Sequence, residues 1–189
     1  MRKILSLIMA VLMIATITLA FSSCSTNNIH HVKIQFVGYG EVTLELDGNV
    51  APITVKHFLD LVKSESNSKS YVNRLQPGFV LQGVLGNNTA TIKGEFENNG
   101  VKNDIAHTKG VISMARSKSY DSASNQFFIM LGTAEYLNKN YAAFGRVTEG
   151  FEVIEQIQKA LVEKNDFTDN YYYFLNSSSY IEMKLSIID

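Results

Sequence analysis

The chain has 189 residues, 46% hydrophobic and 19% charged, with 12 Gly and 2 Pro, which suits one globular domain with some sequence to spare. Its single cysteine excludes an internal disulfide, and the four histidines show no metal-ligand spacing. A net charge of −1, with no block of Lys or Arg, excludes the electrostatic footprint of a nucleic-acid-binding protein.

At the start, Arg2 and Lys3 precede an apolar run over residues 4–20, interrupted only by Ser6, Thr16 and Thr18. A short basic head, an apolar stretch and then small residues form an export signal. Phe21-Ser22-Ser23-Cys24 follows and resembles the bacterial lipobox, in which the cysteine is acylated and becomes the new N-terminus. Phe21 stands where that motif usually has Leu. On this reading residues 1–23 are a lipoprotein signal peptide, residues 24–31 a lipidated polar tether, and residues 32–189 the folded domain. Cys24 is the expected lipidation site. The expected location is the extracytoplasmic face of a bacterial membrane.

Further along, Val42-Thr43-Leu44-Glu45-Leu46 alternates apolar and polar, the period of a half-buried strand. In residues 54–63, Val55, Phe58, Leu59 and Val62 share one helical face, and Pro52 sits where a helix start tolerates it. His57 falls on the polar side of that helix and is expected to face solvent. Short runs rich in branched and aromatic residues follow at 79–82, 111–114, 126–131 and 143–147, as strands do in a sandwich or barrel. A second helical stripe, Phe151, Ile154 and Ile157, comes after Gly150, and residues 180–188 alternate again. Strands at both ends with two helices between them fit a β-barrel with helical plugs over its open ends, although periodicity alone establishes only a mostly-β chain.

Specific motifs lie within this frame. Tyr71-Val72-Asn73-Arg74-Leu75-Gln76-Pro77-Gly78-Phe79-Val80-Leu81-Gln82-Gly83 resembles the core motif of the cyclophilins, the peptidyl-prolyl cis-trans isomerases. Gly110-Val111-Ile112-Ser113-Met114-Ala115-Arg116, followed by Ser124-Asn125-Gln126-Phe127-Phe128-Ile129, agrees in order. So do Tyr136-Leu137 leading to Tyr141-Ala142-Ala143-Phe144-Gly145-Arg146-Val147, and Ala51-Pro52-Ile53-Thr54-Val55 after the first strand.

The resemblance implies an eight-stranded antiparallel β-barrel capped by two α-helices, with a substrate groove on its outer wall. It implies catalysis of X-Pro bond rotation in exported proteins, with Arg74 as the catalytic arginine. Phe79, Val80, Phe128 and Leu137 match the apolar pocket for the proline ring. Gln82 and Gln126 match side chains that orient Arg74 and the peptide. Ala115 and Arg116 match the segment that pairs with substrate backbone, and Tyr136 and Tyr141 complete the rim. Asn73 stands beside Arg74 where the family commonly has His, and counts among the substrate-binding residues. Val84-Leu85 replaces the usual Gly-Asp, so a differently built turn is expected there. No cofactor, metal or nucleic acid is implied. The expected partners are proline-containing segments of exported proteins, and the expected state is a monomer.

Two rival readings remain. One keeps the fold as a non-catalytic proline-peptide binding module or holdase, favoured by Asn73 and the altered turn. The other is a surface lipoprotein that binds a partner through Tyr171-Tyr172-Tyr173-Phe174, a run whose simpler role is packing that closes the barrel. His107, in a His-Thr-Lys-Gly run, is read as structural.

Overall fold

The alternation seen at residues 42–46 belongs to a longer strand, β2 (Gly40–Asp47), whose Val42, Leu44 and Leu46 are fully buried. The computed structural model describes residues 28–64, 69–87, 90–164, 167 and 173–189. The signal segment, Cys24, Tyr171 and Tyr172 therefore lie outside the described residues. Around β2 the other elements are β1 (Ile29–Phe36), helix α1 (Pro52–Ser64), β3 (Ser70–Gln76), β4 (Val80–Val84), β5 (Val111–Met114), β6 (Gln126–Met130), β7 (Ala143–Glu149), helix α2 (Phe151–Lys164) and β8 (Ile181–Ile187). The strands hydrogen-bond in the order β1-β2-β7-β5-β6-β4-β3-β8 and close into a barrel. Every pair is antiparallel. The expected eight-stranded barrel with two helices is what the chain forms.

Inward-facing residues of alternating strand positions fill the interior: Val32, Ile34 and Phe36 from β1, Leu75 from β3, Ile112 and Met114 from β5, and Phe127 and Ile129 from β6. Helix α1 closes one end by driving Phe58 into this core, 5.5 Å edge-on to Phe127 and 5.2 Å from Phe144. Complete burial of a side chain this large contributes roughly 1.5–3 kcal/mol. Gly83 is required where it stands, because a Cβ there would lie 2.8 Å from the Met183 side chain and 2.9 Å from the Phe127 ring. The N-terminus of α1 is held by a buried carboxylate 41 residues away in sequence. Glu95 accepts hydrogen bonds from the backbone N–H groups of Ile53 (3.0 Å) and Thr54 (2.7 Å) and from the Thr54 hydroxyl (2.7 Å). It satisfies donors that a helix leaves unpaired, at the end where the dipole favours negative charge.

Two sequence expectations need correction. The domain begins before Val32: β1 starts at Ile29, with His30 paired to Leu46 and His31 to Glu45. The apolar alternation begins only at Val32, so the polar lead-in of the strand reads as tether. His57 is half-buried instead of solvated, and its Nε2–H donates to the Ser124 carbonyl at 2.7 Å. That bond ties α1 to the loop entering β6. The turn after Gln82-Gly83 is indeed built in its own way. β4 runs on through Val84, Leu85 N–H donates to the Asn125 carbonyl (2.8 Å), and Gly86 N–H donates to Ser70 Oγ (3.0 Å).

Candidate active site

The interior is packed, so a site must lie on the outer wall, where every second strand residue points. Arg74 of β3 pairs with Gln82 of β4, Gln82 with Phe128 of β6, and Phe128 with Ser113 of β5. A single row of outward positions thus crosses four strands. The register of β3 against β4 shifts between Val72 and Arg74, leaving Asn73 without a partner on β4. This extra residue re-aims Arg74, as bulges beside functional sites commonly do.

The row forms the floor of a groove of about 420 Å³. Arg74, Gln82 and Gln126 meet in it as a hydrogen-bonded chain. The guanidinium donates to Gln82 Oε1 at 3.3 Å, and Gln82 Nε2 donates to Gln126 Oε1 at 2.8 Å. A second brace comes from Gln76, whose Oε1 accepts from Arg74 Nη2 at 2.7 Å. Gln76 was not among the sequence-predicted site residues. Its signal was its position two residues after Arg74, which puts both on one face of a strand.

Beside this polar chain lies an apolar pocket formed by Phe79, Val80, Phe128 and Leu137, with Tyr141 on its wall. The Phe128 ring is 5.9 Å edge-on to Tyr141 and 6.1 Å from the His107 ring beneath it. The turn that carries Phe79 is defined by Pro77-Gly78. Gly78 has φ +71°, Phe79 N–H donates to the Gln76 carbonyl (3.0 Å), and Gly78 N–H donates to Gln158 of α2 (3.0 Å). Pro followed by a left-handed Gly is the sequence of a type II turn.

Ala115 and Arg116 also line the groove, although the Arg116 guanidinium is already engaged. It donates to the Asn140 carbonyl (2.8 and 3.0 Å) and the Ser117 carbonyl (2.8 Å), and lies 4.5 Å from the Tyr141 ring centroid and about 5 Å from those of Phe96 and Tyr120. The side chain clamps the groove wall. Ser117, Ser122, Ser124 and Asn125, none of them a sequence-predicted site residue, extend the groove at this end. Two predicted residues stand outside the lining. Tyr136 is 69% exposed and stacks on Phe79 at 6.1 Å, on the rim. Asn73, the bulge residue, keeps its Oδ1 buried without a hydrogen-bond partner among the described residues.

Below the pocket, His107 is 1% exposed. The side-chain Oδ1 of Asn138 accepts from both the His107 backbone N–H (2.8 Å) and its Nδ1–H (3.1 Å), leaving Nε2 to accept from the Ser113 hydroxyl (3.0 Å). Burial pushes its pKa below the ordinary value of 6.5, against a smaller opposing contribution from Asn138. The ring is therefore a neutral support for Phe128. Among the described residues, no three His, Cys, Asp or Glu side chains form a metal-binding group, and no helix is long and apolar enough to cross a membrane.

The fold and site thus define a closed-barrel protein whose outer groove joins an apolar pocket to a braced guanidinium. Comparison with known proteins specifies which kind. The family model described as "Cyclophilin type peptidyl-prolyl cis-trans isomerase/CLD" matches residues 31–173. Peptidyl-prolyl cis-trans isomerase A of Dickeya dadantii is 32% identical over 171 residues, covering 86% of this chain and 87% of that one. A peptidyl-prolyl cis-trans isomerase of Acinetobacter baylyi is 34% identical over 127 residues, covering 62% and 66%. Among solved structures, a cyclophilin-type isomerase of Cryptosporidium parvum superposes with a TM-score of 0.68 at 23% identity, covering 85% of this chain and 98% of that one. A structure of the same protein determined in the presence of the dipeptide Ala-Pro gives 0.67 at 24%, covering 84% and 99%. The chain belongs to the cyclophilin-type peptidyl-prolyl cis-trans isomerases. As a member of that family it is an isomerase of X-Pro peptide bonds.

Proposed function

We propose that this isomerase works on exported proteins from a membrane surface, anchored through lipid on Cys24, and that Arg74 is its catalytic residue. The observation that carries the assignment of Arg74 is its guanidinium, braced by Gln82 and Gln76 beside the apolar pocket. The arrangement suits the reaction. An X-Pro bond resists rotation because amide resonance holds it planar, with a barrier of ~18–20 kcal/mol. Midway through rotation the resonance is lost, and the prolyl nitrogen acquires a lone pair that accepts a hydrogen bond.

Phe79, Val80, Phe128 and Leu137 hold the proline ring, while Ala115, Arg116 and the Tyr141 side hold the flanking backbone. Arg74, fixed in advance, then donates to the nitrogen in the twisted state and hardly at all to either planar state. That is differential binding of the transition state by a preorganised donor. A 10⁵-fold acceleration requires about 7 kcal/mol, shared between this bond and the anchoring of ring and backbone. No nucleophile or proton transfer enters the scheme. Gln82 and Gln126 keep the donor aimed, and Tyr136 and Asn73 act from the margin.

The export signal, the lipobox-like Phe21-Ser22-Ser23-Cys24 and the short polar segment after it support the location. That the Cryptosporidium structure was determined in the presence of the dipeptide Ala-Pro supports the substrate class. The test measures X-Pro exchange in a short peptide by NMR, with the wild-type chain and Arg74→Ala. Acceleration that collapses in Arg74→Ala is the expected result. A folded wild-type chain without acceleration would leave a proline-peptide binding module on the same fold. Metabolic labelling with a radioactive fatty acid checks the anchor: incorporation abolished by Cys24→Ala is expected, and equal labelling of both forms refutes it.

A further inference from the structure

Strand β8 pairs with β3 only along Ser70, Tyr71 and Val72. Beyond that point another stretch of chain takes over the β3 edge. Leu75 N–H donates to the Tyr173 carbonyl (3.1 Å), Leu175 N–H donates to the Asn73 carbonyl (2.9 Å), and Phe174 sits directly opposite Arg74 as an antiparallel bridge. The chain enters this edge through Tyr173, whose φ of +59° lies in the left-handed region that a residue with a Cβ rarely adopts. Leu175, 2% exposed and bridged to Phe167, fixes the other side. The result is an extended segment, bridged to β3 at a single residue, whose Phe174 ring centroid lies 5.9 Å from the Arg74 guanidinium.

Phe174 is 38% exposed and does not line the groove, so packing of a core does not explain its place. The two glutamines restrain the guanidinium by hydrogen bonds, and one of these, to Gln82, is long at 3.3 Å. A ring within 6 Å attracts a guanidinium through its quadrupole and restricts the rotamers of a long side chain. We infer that Phe174 is a positioning residue for the isomerase reaction: carried onto the β3 edge by the segment before β8, it holds Arg74 in the orientation that meets the twisted prolyl nitrogen.

This inference rests on Arg74 being the catalytic residue, and the experiment keeps the two apart. Exchange of a short unstructured X-Pro peptide is followed by NMR across peptide concentrations, so that kcat and KM separate. The proteins are the purified chain, Arg74→Ala, Phe174→Ala, Phe174→Leu and Phe174→Tyr. The wild type and Arg74→Ala test the catalytic assignment first; equal rates from those two overturn that assignment before Phe174 is considered. With it established, Phe174→Ala is expected to lower kcat about three- to fivefold, the factor that an exposed cation–ring contact supports, with KM unchanged. Phe174→Tyr retains the ring face and should restore kcat to within about twofold. If Phe174→Ala fails to fold, Phe174→Leu, which keeps the apolar bulk without the ring, carries the comparison with Phe174→Tyr. An unchanged kcat in both ring-less variants overturns the inference. So does a change confined to KM, which would make the ring a peptide contact, and so does equal impairment of the Tyr and Leu variants.

Discussion

His107 offers the most demanding test of how the groove is supported, because it is buried, polar and titratable at once. Replacement by Leu keeps the bulk but removes the acceptor of the Ser113 hydroxyl and the Nδ1–H donor to Asn138. Asn138 Oδ1 retains the His107 backbone N–H, so the main loss is one orphaned hydroxyl on a fully buried serine. Leaving a buried polar group unpaired costs about 1–3 kcal/mol. The pH dependence then separates the imidazole from mere bulk. Burial lowers the folded-state pKa of His107 below 6.5, so the unfolded chain binds the extra proton first. Its contribution to stability is therefore complete above pH ~6.5 and declines as pH falls from there toward the lower folded-state value, by at most about 1.4 kcal/mol per pH unit for one proton. Urea unfolding at a series of pH values between 8 and 5 measures this directly. The wild type should lose stability on acidification, and His107→Leu, weaker at pH 8, should show a flatter profile. Two parallel profiles would refute the account, because the buried imidazole would then contribute nothing to the proton linkage.

Other outcomes follow from single contacts. Glu95→Ala removes the acceptor for Ile53 N–H, Thr54 N–H and the Thr54 hydroxyl, and should cost about 2–4 kcal/mol of stability, read as a lowered thermal midpoint. Gly83→Ala forces a methyl into the Phe127 ring and Met183, with a loss of about 1–3 kcal/mol; a denaturant midpoint equal to wild type would show that the core can shift. Gln82→Leu breaks the chain from Gln126 to Arg74 and should lower kcat about tenfold while KM for the peptide changes little. Arg116→Lys cannot reproduce the fork that binds three carbonyls, of Asn140, Ser117 and Lys118, between three rings; it should raise KM several-fold as the groove wall loosens.

Legibility in the sequence followed the range of the interactions involved. The stripe Val55, Phe58, Leu59 and Val62 announced α1, and the alternation at Val42, Leu44 and Leu46 announced β2, because each element buries one face of a local repeat. Strand β3 has no such clean alternation: its bulge at Asn73 interrupts the period, and periodicity does not mark it as a strand. The first residues of β1 read as tether because Ile29, His30 and His31 lie on the strand before its buried positions begin. Glu95 was invisible as a helix cap, since nothing in the residues around it points to a helix 41 positions earlier. His57 misled for the same reason. Its helical position is polar, but the Ser124 carbonyl arrives from another part of the chain. Phe127 and Phe128 show the opposite case: adjacency on a strand is enough to send one ring to the core and the other to the groove.

The period of two also explains why this barrel places its site on an outside wall. Inside, Leu75, Leu81, Phe127 and Ile129 leave no room for a peptide. Between them in sequence, the same strands offer Arg74 and Gln76, Val80 and Gln82, and Gln126 and Phe128 to the other face. Each of these six strand residues therefore has at least one core neighbour in sequence to hold its backbone still, which is the condition for a donor to be aimed before the substrate arrives. Rotation about an amide bond gives the protein no charge transfer to exploit, and the advantage of the twisted state comes from one hydrogen bond and a well-held ring. In the proposed mechanism Arg74 is the donor to be aimed, and its strand carries a bulge directly before it. The segment bridged to that edge at Phe174 belongs to the same logic. Where β8 stops pairing at Val72, the wall would be loosest just beside the guanidinium, and residues 173–175 supply the missing hydrogen bonds at that point.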